Sequence, residues 1–259
     1  MHTINARLLG VAAFAINGIE VEGLRLSEGG DLLRFMAVYA RPSVDEETVF
    51  RALASGVDES VARHRLDTWV WGAKSVVGRL AAGSSIVRRR GGVCSWTVRV
   101  ECDYLDLLTL SRTQAVKDAR RALALCAGKF CLGEKAEWKV SVRNEVSTIA
   151  GALLERVEQD GRAEDFDYLL RTGLQLQSQD WTNERVLRVV MRTHERCGRI
   201  HDALRAYDRF SRLLERELGM DPEPETTALR DRILGASSLP NSPPGEFSRF
   251  VAQPPVQLS

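Results

Sequence analysis

The sequence predicts a mainly α chain with a small β part, an N-terminal winged helix-turn-helix followed by an all-α, tetratricopeptide-like solenoid. Three observations carry this. Short apolar runs punctuated by Gly10, Asn17-Gly18 and Gly23 precede three helical segments and a basic hairpin within residues 1–102. Beyond Glu101 the apolar spacing is helical to about Leu234. Within that stretch Glu158, Gly161, Arg162 and Asp165 recur as Glu195, Gly198, Arg199 and Asp202, an offset of 37 residues, close to the roughly 34-residue tetratricopeptide period.

The 259 residues suit two small domains with real cores, and 44% apolar with 27% charged side chains is an ordinary soluble composition. No stretch approaches the ~20 apolar residues needed to span a bilayer, which excludes a membrane-spanning helix, and the odd, scattered cysteines give a cytoplasmic location as the expectation. Arg7 followed by the apolar run Leu8–Ile16 has the look of a leader. The run reaches Asn17-Gly18, a strong hairpin turn, and resumes as Ile19-Glu20-Val21, so it reads as two paired strands.

After the strands, Leu32, Leu33, Phe35, Met36 and Tyr39 form one helical stripe that stops near Arg41-Pro42. Ser43 or Asp45 then caps a short acidic helix through Val49, Phe50 and Leu53. The third helix covers roughly residues 60–82, where Ala62, Leu66, Trp69, Ala73, Val77 and Leu80 fall within about 40° of one line and define its buried face. Ile86-Val87, a loop at Arg88-Arg89-Arg90-Gly91-Gly92 and the alternating Ser95–Val100 give a terminal hairpin, the wing. Helices fill residues 103–235; units of this kind bury their apolar faces only by stacking, so about three helix pairs follow. The Ala236–Ser259 tail holds five of the eight prolines and two charges, the composition of a disordered segment.

The formal net charge of +1 conceals a segregation. Residues 61–100 carry eight basic side chains against one acidic, Asp67, while the remainder carries 28 against 34. On the helix face opposite the buried stripe stand His64, Asp67, Thr68, Trp71 and Ser75, flanked by Arg63, Arg65, Lys74 and Arg79. In a helix-turn-helix this face enters the major groove, where side chains reach base edges and flanking cations meet phosphates. Trp71 fits a thymine methyl or a sugar, and equally a neighbouring domain. Arg88, Arg89 and Arg90 at a hairpin tip suit a minor groove or phosphate oxygens, the alternative being ordinary solvated loop arginines.

No catalytic constellation competes with this. His2, His64, His194 and His201 are dispersed, and no phosphate-binding Gly-rich loop, GxSxG or HExxH occurs. Cys94, Cys102, Cys126, Cys131 and Cys197 are odd in number and form no Cys-x-x-Cys pair, so reduced thiols are expected, with no metal site, no cofactor and no enzyme activity.

In the second half, Ala122-Leu123-Ala124-Leu125, Gly128-Lys129-Phe130, Trp138 and Arg143 are followed by Gly198-Arg199, Ala203-Leu204-Arg205-Ala206-Tyr207, Glu217-Leu218-Gly219 and Pro222-x-Pro224-Glu225. In order and spacing these resemble the bacterial transcriptional activation domain. Over residues 6–235 the chain resembles the actinobacterial antibiotic-regulatory-protein (SARP) family of transcription activators, in which that domain follows a response-regulator-type winged helix. Ala62-Arg63, Leu66, Thr68 and Val70 match the family's recognition helix, whereas Trp71-Gly72 and Lys74-Ser75 replace its later Ser-Arg and Arg-Arg pairs. The second helix ends Ala52-Leu53-Ala54 without the family's tryptophan, and the wing carries more arginine than the family generally does.

The resemblance implies a regulator that docks on promoter repeats in double-stranded DNA, as a homodimer or as paired protomers, and contacts RNA polymerase through its helical domain. It implies pathway-specific or secondary-metabolite genes as targets. Trp181, Arg185, Arg188 and Arg192 stand at helical spacing as candidate partner-binding residues, although repeat packing accounts for the Trp equally well. The alternative from a different class is a helical-repeat interaction protein that does not bind DNA and carries a degenerate winged helix.

Overall fold

The computed structural model describes residues 3–24, 27–40, 42–78, 86–134, 136–160 and 165–237. It divides into two units, Met1–Val189 and Val190–Ser259.

The first unit opens with β1 (Thr3–Arg7), β2 (Ala13–Ile16) and β3 (Ile19–Glu20). Ile4, Ala6, Phe14 and Ile16 alternate inward along β1 and β2, so one face of this sheet is buried. Then come α1 (Glu28–Tyr39), β4 (Ser43–Asp45), α2 (Glu46–Leu53) and α3 (Glu59–Gly78). The strands β5 (Val87–Arg90), β6 (Val93–Trp96) and β7 (Arg99–Cys102) complete the β part. Two sheets result, with strand orders β3-β2-β1-β7 and β4-β6-β5.

Three local expectations are corrected. Ser43 lies in a strand that pairs with Ser95 of β6, so the cap of α2 is Asp45 alone, whose carboxylate accepts from Thr48 N at 2.7 Å. The Ser95–Val100 run is split: β6 stays in the wing, while β7 leaves it and runs parallel to β1 in the first sheet, with Val100 beside Ile4. Arg88, Arg89 and Arg90 are not a loop but strand β5, because the two-residue turn falls on Gly91 (φ +60°) and Gly92 (φ +76°), where only glycine adopts both left-handed angles without strain.

Ala62, Leu66, Trp69 and Ala73 of the expected stripe are buried, joined by Val70. The side chain of Val77, and Arg79 and Leu80 altogether, lie outside the described residues. A Cβ on Gly29 would stand 2.8 Å from Ala73 N and 2.9 Å from Trp69 O, so α1 and α3 cross with their backbones nearly touching. Trp69 Nε1 donates to Glu28 Oε2 at 2.8 Å across the same crossing.

Helices α4 (Asp103–Ser111), α5 (Val116–Leu125), α6 (Glu137–Gln159) and α7 (Phe166–Gln179) follow in the first unit. One core runs without a break from Ile4 to Val189. The Asp103 carboxylate accepts from the backbone N–H of Leu8, Leu9 and Tyr104, which ties the start of α4 to the end of β1. Leu9 bridges to Phe130. Trp138 meets Phe35 edge-on at 5.4 Å. The ammonium of Lys139, 1% exposed, donates to Asp31 of α1 and to Glu134, and Arg34, 2% exposed, stands 3.0 Å from Glu134. Two cations thus share two carboxylates within the core, as burial of charge requires.

Helix α8 (Glu184–Arg196) runs across the division at Val189. The second unit continues with α9 (Ile200–Leu218) and α10 (Pro224–Ser237), which starts on a proline where a missing N–H costs nothing. Tyr207, Phe210 and Leu214 of α9 are buried, as are Leu229 and Ile233 of α10. The Arg230 guanidinium lies over the Tyr207 ring at 4.9 Å, and Arg232 is bidentate to Glu195 at 2.7 and 2.9 Å. Of the repeat, Gly161 and Arg162 lie outside the described residues, as does the expected tail from residue 238.

Candidate nucleic-acid interface

With its apolar face against α1, α3 turns Arg63, His64, Arg65, Asp67, Thr68, Trp71 and Lys74 to solvent, while Ser75 is half-buried. Trp71 is 70% exposed, the largest apolar surface on this face. Thr68 Oγ1 donates to His64 O at 3.1 Å and Ser75 Oγ to Gly72 O at 2.9 Å. Both hydroxyl protons are used within the helix, so toward a ligand these oxygens are acceptors and Thr68 also offers its methyl group. Arg63 is held by Glu59 one turn earlier.

Strand alternation decides what the three wing arginines do. Val87 and Arg89 point inward while Arg88 and Arg90 are exposed. Arg89 reaches the first turn of α2, where Nε donates to Glu46 Oε1 at 2.6 Å and Nη2 to Glu46 Oε2 at 2.8 Å, and its Nη1 meets Asp67 of α3. It is therefore the brace between wing, α2 and the outer helix. The hydrogen bonds from Arg89 hold the Glu46 carboxyl below its ordinary range against the opposing effect of burial, and the two carboxylates raise Arg89 further. Beneath them burial pushes the Cys94 thiol up to about 11, so it is a packing residue rather than a nucleophile.

The outer face of α3 and the wing border one open groove, lined by Arg63, Asp67, Trp71, Lys74, Arg89 and Arg90. Six of the twelve expected nucleic-acid residues are thus brought together. His64, Arg65 and Thr68 lie on the same helix, and Arg88 is exposed on the wing. Arg79 lies outside the described residues. Arg99, counted in the basic stretch, belongs to the first sheet and pairs with Glu101.

The residues expected to bind partners lie along α8 and the turn before it. Trp181 is half-buried in the turn before α8, Arg185 pairs with Glu155, and Arg188 is 8% exposed, hence a core residue rather than a lining one. Arg192 is half-buried in the second unit. The Arg34, Asp31, Glu134 and Lys139 cluster escaped sequence reasoning, since residues 108 apart give no spacing signal. Among the described residues no group of three or more His, Cys, Asp or Glu is placed to hold a metal, and no helix is long and apolar enough to cross a membrane.

Residues 109–234 match the family model described as the bacterial transcriptional activator domain. The fold is similar to that of Mycobacterium tuberculosis EmbR in complex with a low-affinity phosphopeptide, with a TM-score of 0.65 and 20% identity over 91% of this chain. The chain spans 66% of the length of that protein. No curated protein matches it in sequence. Residues 109–234 thus match the bacterial transcriptional activator domain, and the fold over most of the chain is of the EmbR kind.

Proposed function

We propose that the chain is a cytoplasmic, DNA-binding transcription activator of pathway-specific or secondary-metabolite genes. Its α3 enters the major groove of promoter repeats, Arg88 and Arg90 of the wing hold phosphates, and the helices of residues 103–235, stacked as tetratricopeptide-like repeats, receive RNA polymerase and a second protomer. Residues 1–102 form the DNA-binding part. The protein has no chemistry of its own in this reading. The observation that carries it is the single groove bordered by the exposed face of α3 and the wing, with Arg63, Lys74 and Arg90 on its walls.

Selection of full-length protein on random double-stranded DNA, followed by gel-shift on the upstream regions of adjacent genes, tests the proposal. One enriched motif, present as spaced repeats in a bound promoter, is the expected result. Trp71 at 70% exposure and the binding of Arg89 by two carboxylates favour a second reading, a protein-contact surface in place of a DNA surface. Absence of any enriched motif, with binding no stronger than to bulk DNA, decides for that second reading.

A further inference from the structure

The first unit contains a cavity of about 220 Å³ where α6 faces α7 and the turn after α5, sharing no lining residue with the groove at α3. Its apolar wall is built from Phe130, Val140 and Leu176, and its polar side from Lys129, Arg143 and Asp180. An apolar cavity of about 150 Å³ takes benzene, so this one takes a single ring with a short arm.

The charges on the polar side are unevenly satisfied. Asp180 is fully engaged by its own neighbours, Oδ2 accepting from Ser147 Oγ at 2.5 Å and Oδ1 from Thr182 N and Oγ1 at 3.1 and 2.6 Å. Among the described residues the two cations bond only to neutral carbonyls. Lys129 Nζ donates to Gln179 O at 3.3 Å, and Arg143 donates from Nε to Phe130 O at 2.9 Å and from Nη2 to Cys131 O and Glu134 O at 2.7 and 2.6 Å. A cavity with an apolar wall, two cations without a carboxylate partner and an occupied anion favours an anionic guest.

The same turn is bonded to the first sheet. Gly10 N donates to Lys129 O at 3.2 Å, Cys131 N to Leu8 O at 2.7 Å and Leu132 N to Gly10 O at 2.8 Å, while Phe130 bridges to Leu9. We propose that this cavity is a regulatory site for a small, single-ring carboxylic acid, whose occupation stiffens the 128–132 turn and, through it, the end of β1 in the winged half.

The test titrates the purified full-length chain with phenylacetate and benzoate, and with phenylacetamide as the neutral control, by saturation-transfer NMR and calorimetry. Millimolar or tighter binding of at least one acid is expected, with the amide weaker by about tenfold, the ratio one charge-assisted hydrogen bond supplies. Lys129→Gln, at an exposed site, weakens the acid by a similar factor, and Val140→Trp, on a half-exposed position that the indole would use to fill the cavity, abolishes binding while the helical circular dichroism is unchanged. Amide exchange at Gly10, Cys131 and Leu132 slows severalfold in the bound protein. Failure of both acids at about 10 mM, equal binding of acid and amide, or undiminished binding to both variants overturns the site. Binding without slower exchange overturns the coupling to β1. None of these readouts involves DNA, so they stand or fall apart from the function proposed above.

Discussion

If the wing lies on DNA, its three arginines contribute unequally, and replacing them one at a time exposes the difference. Arg88 and Arg90 are exposed on one side of β5, whereas Arg89 is already neutralised by Glu46 and Asp67. Each cation that neutralises a phosphate contributes about 0.9 to the slope of log K against log salt. Arg88→Ala with Arg90→Ala should therefore flatten that slope by about 1.8 per protomer and leave the melting temperature within a degree or two. Arg89→Ala should leave the slope alone and act on stability. It strips a bidentate partner from Glu46, 6% exposed, at a cost near the low end of about 3–5 kcal/mol for breaking a buried pair, because Arg89 itself retains 21% exposure. At roughly 2–4 °C per kcal/mol for a unit of this size, a loss of about 6–12 °C follows. Fluorescence anisotropy across a salt series gives the slopes and calorimetry the melting. An Arg89→Ala slope change equal to that of Arg88→Ala refutes the brace.

Thr68→Ala should relax base preference at one or two positions by about 1–3 kcal/mol with an unchanged salt slope, read by selection from random DNA; an unchanged motif removes direct readout at that residue. Gly29→Ala should destabilise by about 1–3 kcal/mol in urea unfolding, because the new Cβ would sit 2.8 Å from Ala73 N and α3 must move. The Glu46 carboxyl is held low by Arg89, so its stabilisation is complete above the unfolded value near 4.5 and is lost as pH falls through the folded value. The gap between wild type and Glu46→Gln should then narrow progressively as pH falls below the unfolded value, which urea titrations at several pH values measure. Lys139→Met removes one of the two cations that Asp31 and Glu134 share, Arg34 remaining paired to both, and should cost less than the ~3–5 kcal/mol of a fully broken buried pair in the same assay.

The sequence made legible whatever is periodic or local. The alternation of β1 and β2, the turn at Asn17-Gly18 and the stripe Ala62, Leu66, Trp69 and Ala73 follow from spacing alone, and each is where the spacing puts it. What was hidden depends on residues far apart in the chain. Strand β4 is three residues long and exists because β6 offers it an edge. The departure of β7 from the wing is decided by the open edge of β1, almost a hundred residues earlier. Arg89 reads as one of three identical arginines, and only the register of β5, fixed by the glycine turn, turns it toward Glu46.

That register also corrects the electrostatics read from composition. Of the basic side chains in residues 61–100, Arg63, Arg89 and Arg99 each have a carboxylate partner, so a formal excess of seven overstates what DNA would meet. Arg65, Lys74, Arg88 and Arg90 are exposed and make no ion pair among the described residues. If these four meet phosphates, at about 0.9 each they contribute about 3.6 to the slope of one protomer, and those of two protomers on paired repeats about 7. On the proposed function, a single protomer with so few contacts would bind bulk DNA weakly at physiological salt. Specific occupancy must then come from base contacts at Thr68 and Trp71 or from a second protomer held nearby, and the second route multiplies affinity without any further contact to DNA. If the chain acts on DNA as proposed, the helical domain has a physical task even before polymerase is considered: it would hold two weak readers at the spacing of the repeats, and a change in half-site spacing by half a helical turn should then abolish binding while a single mismatch only weakens it.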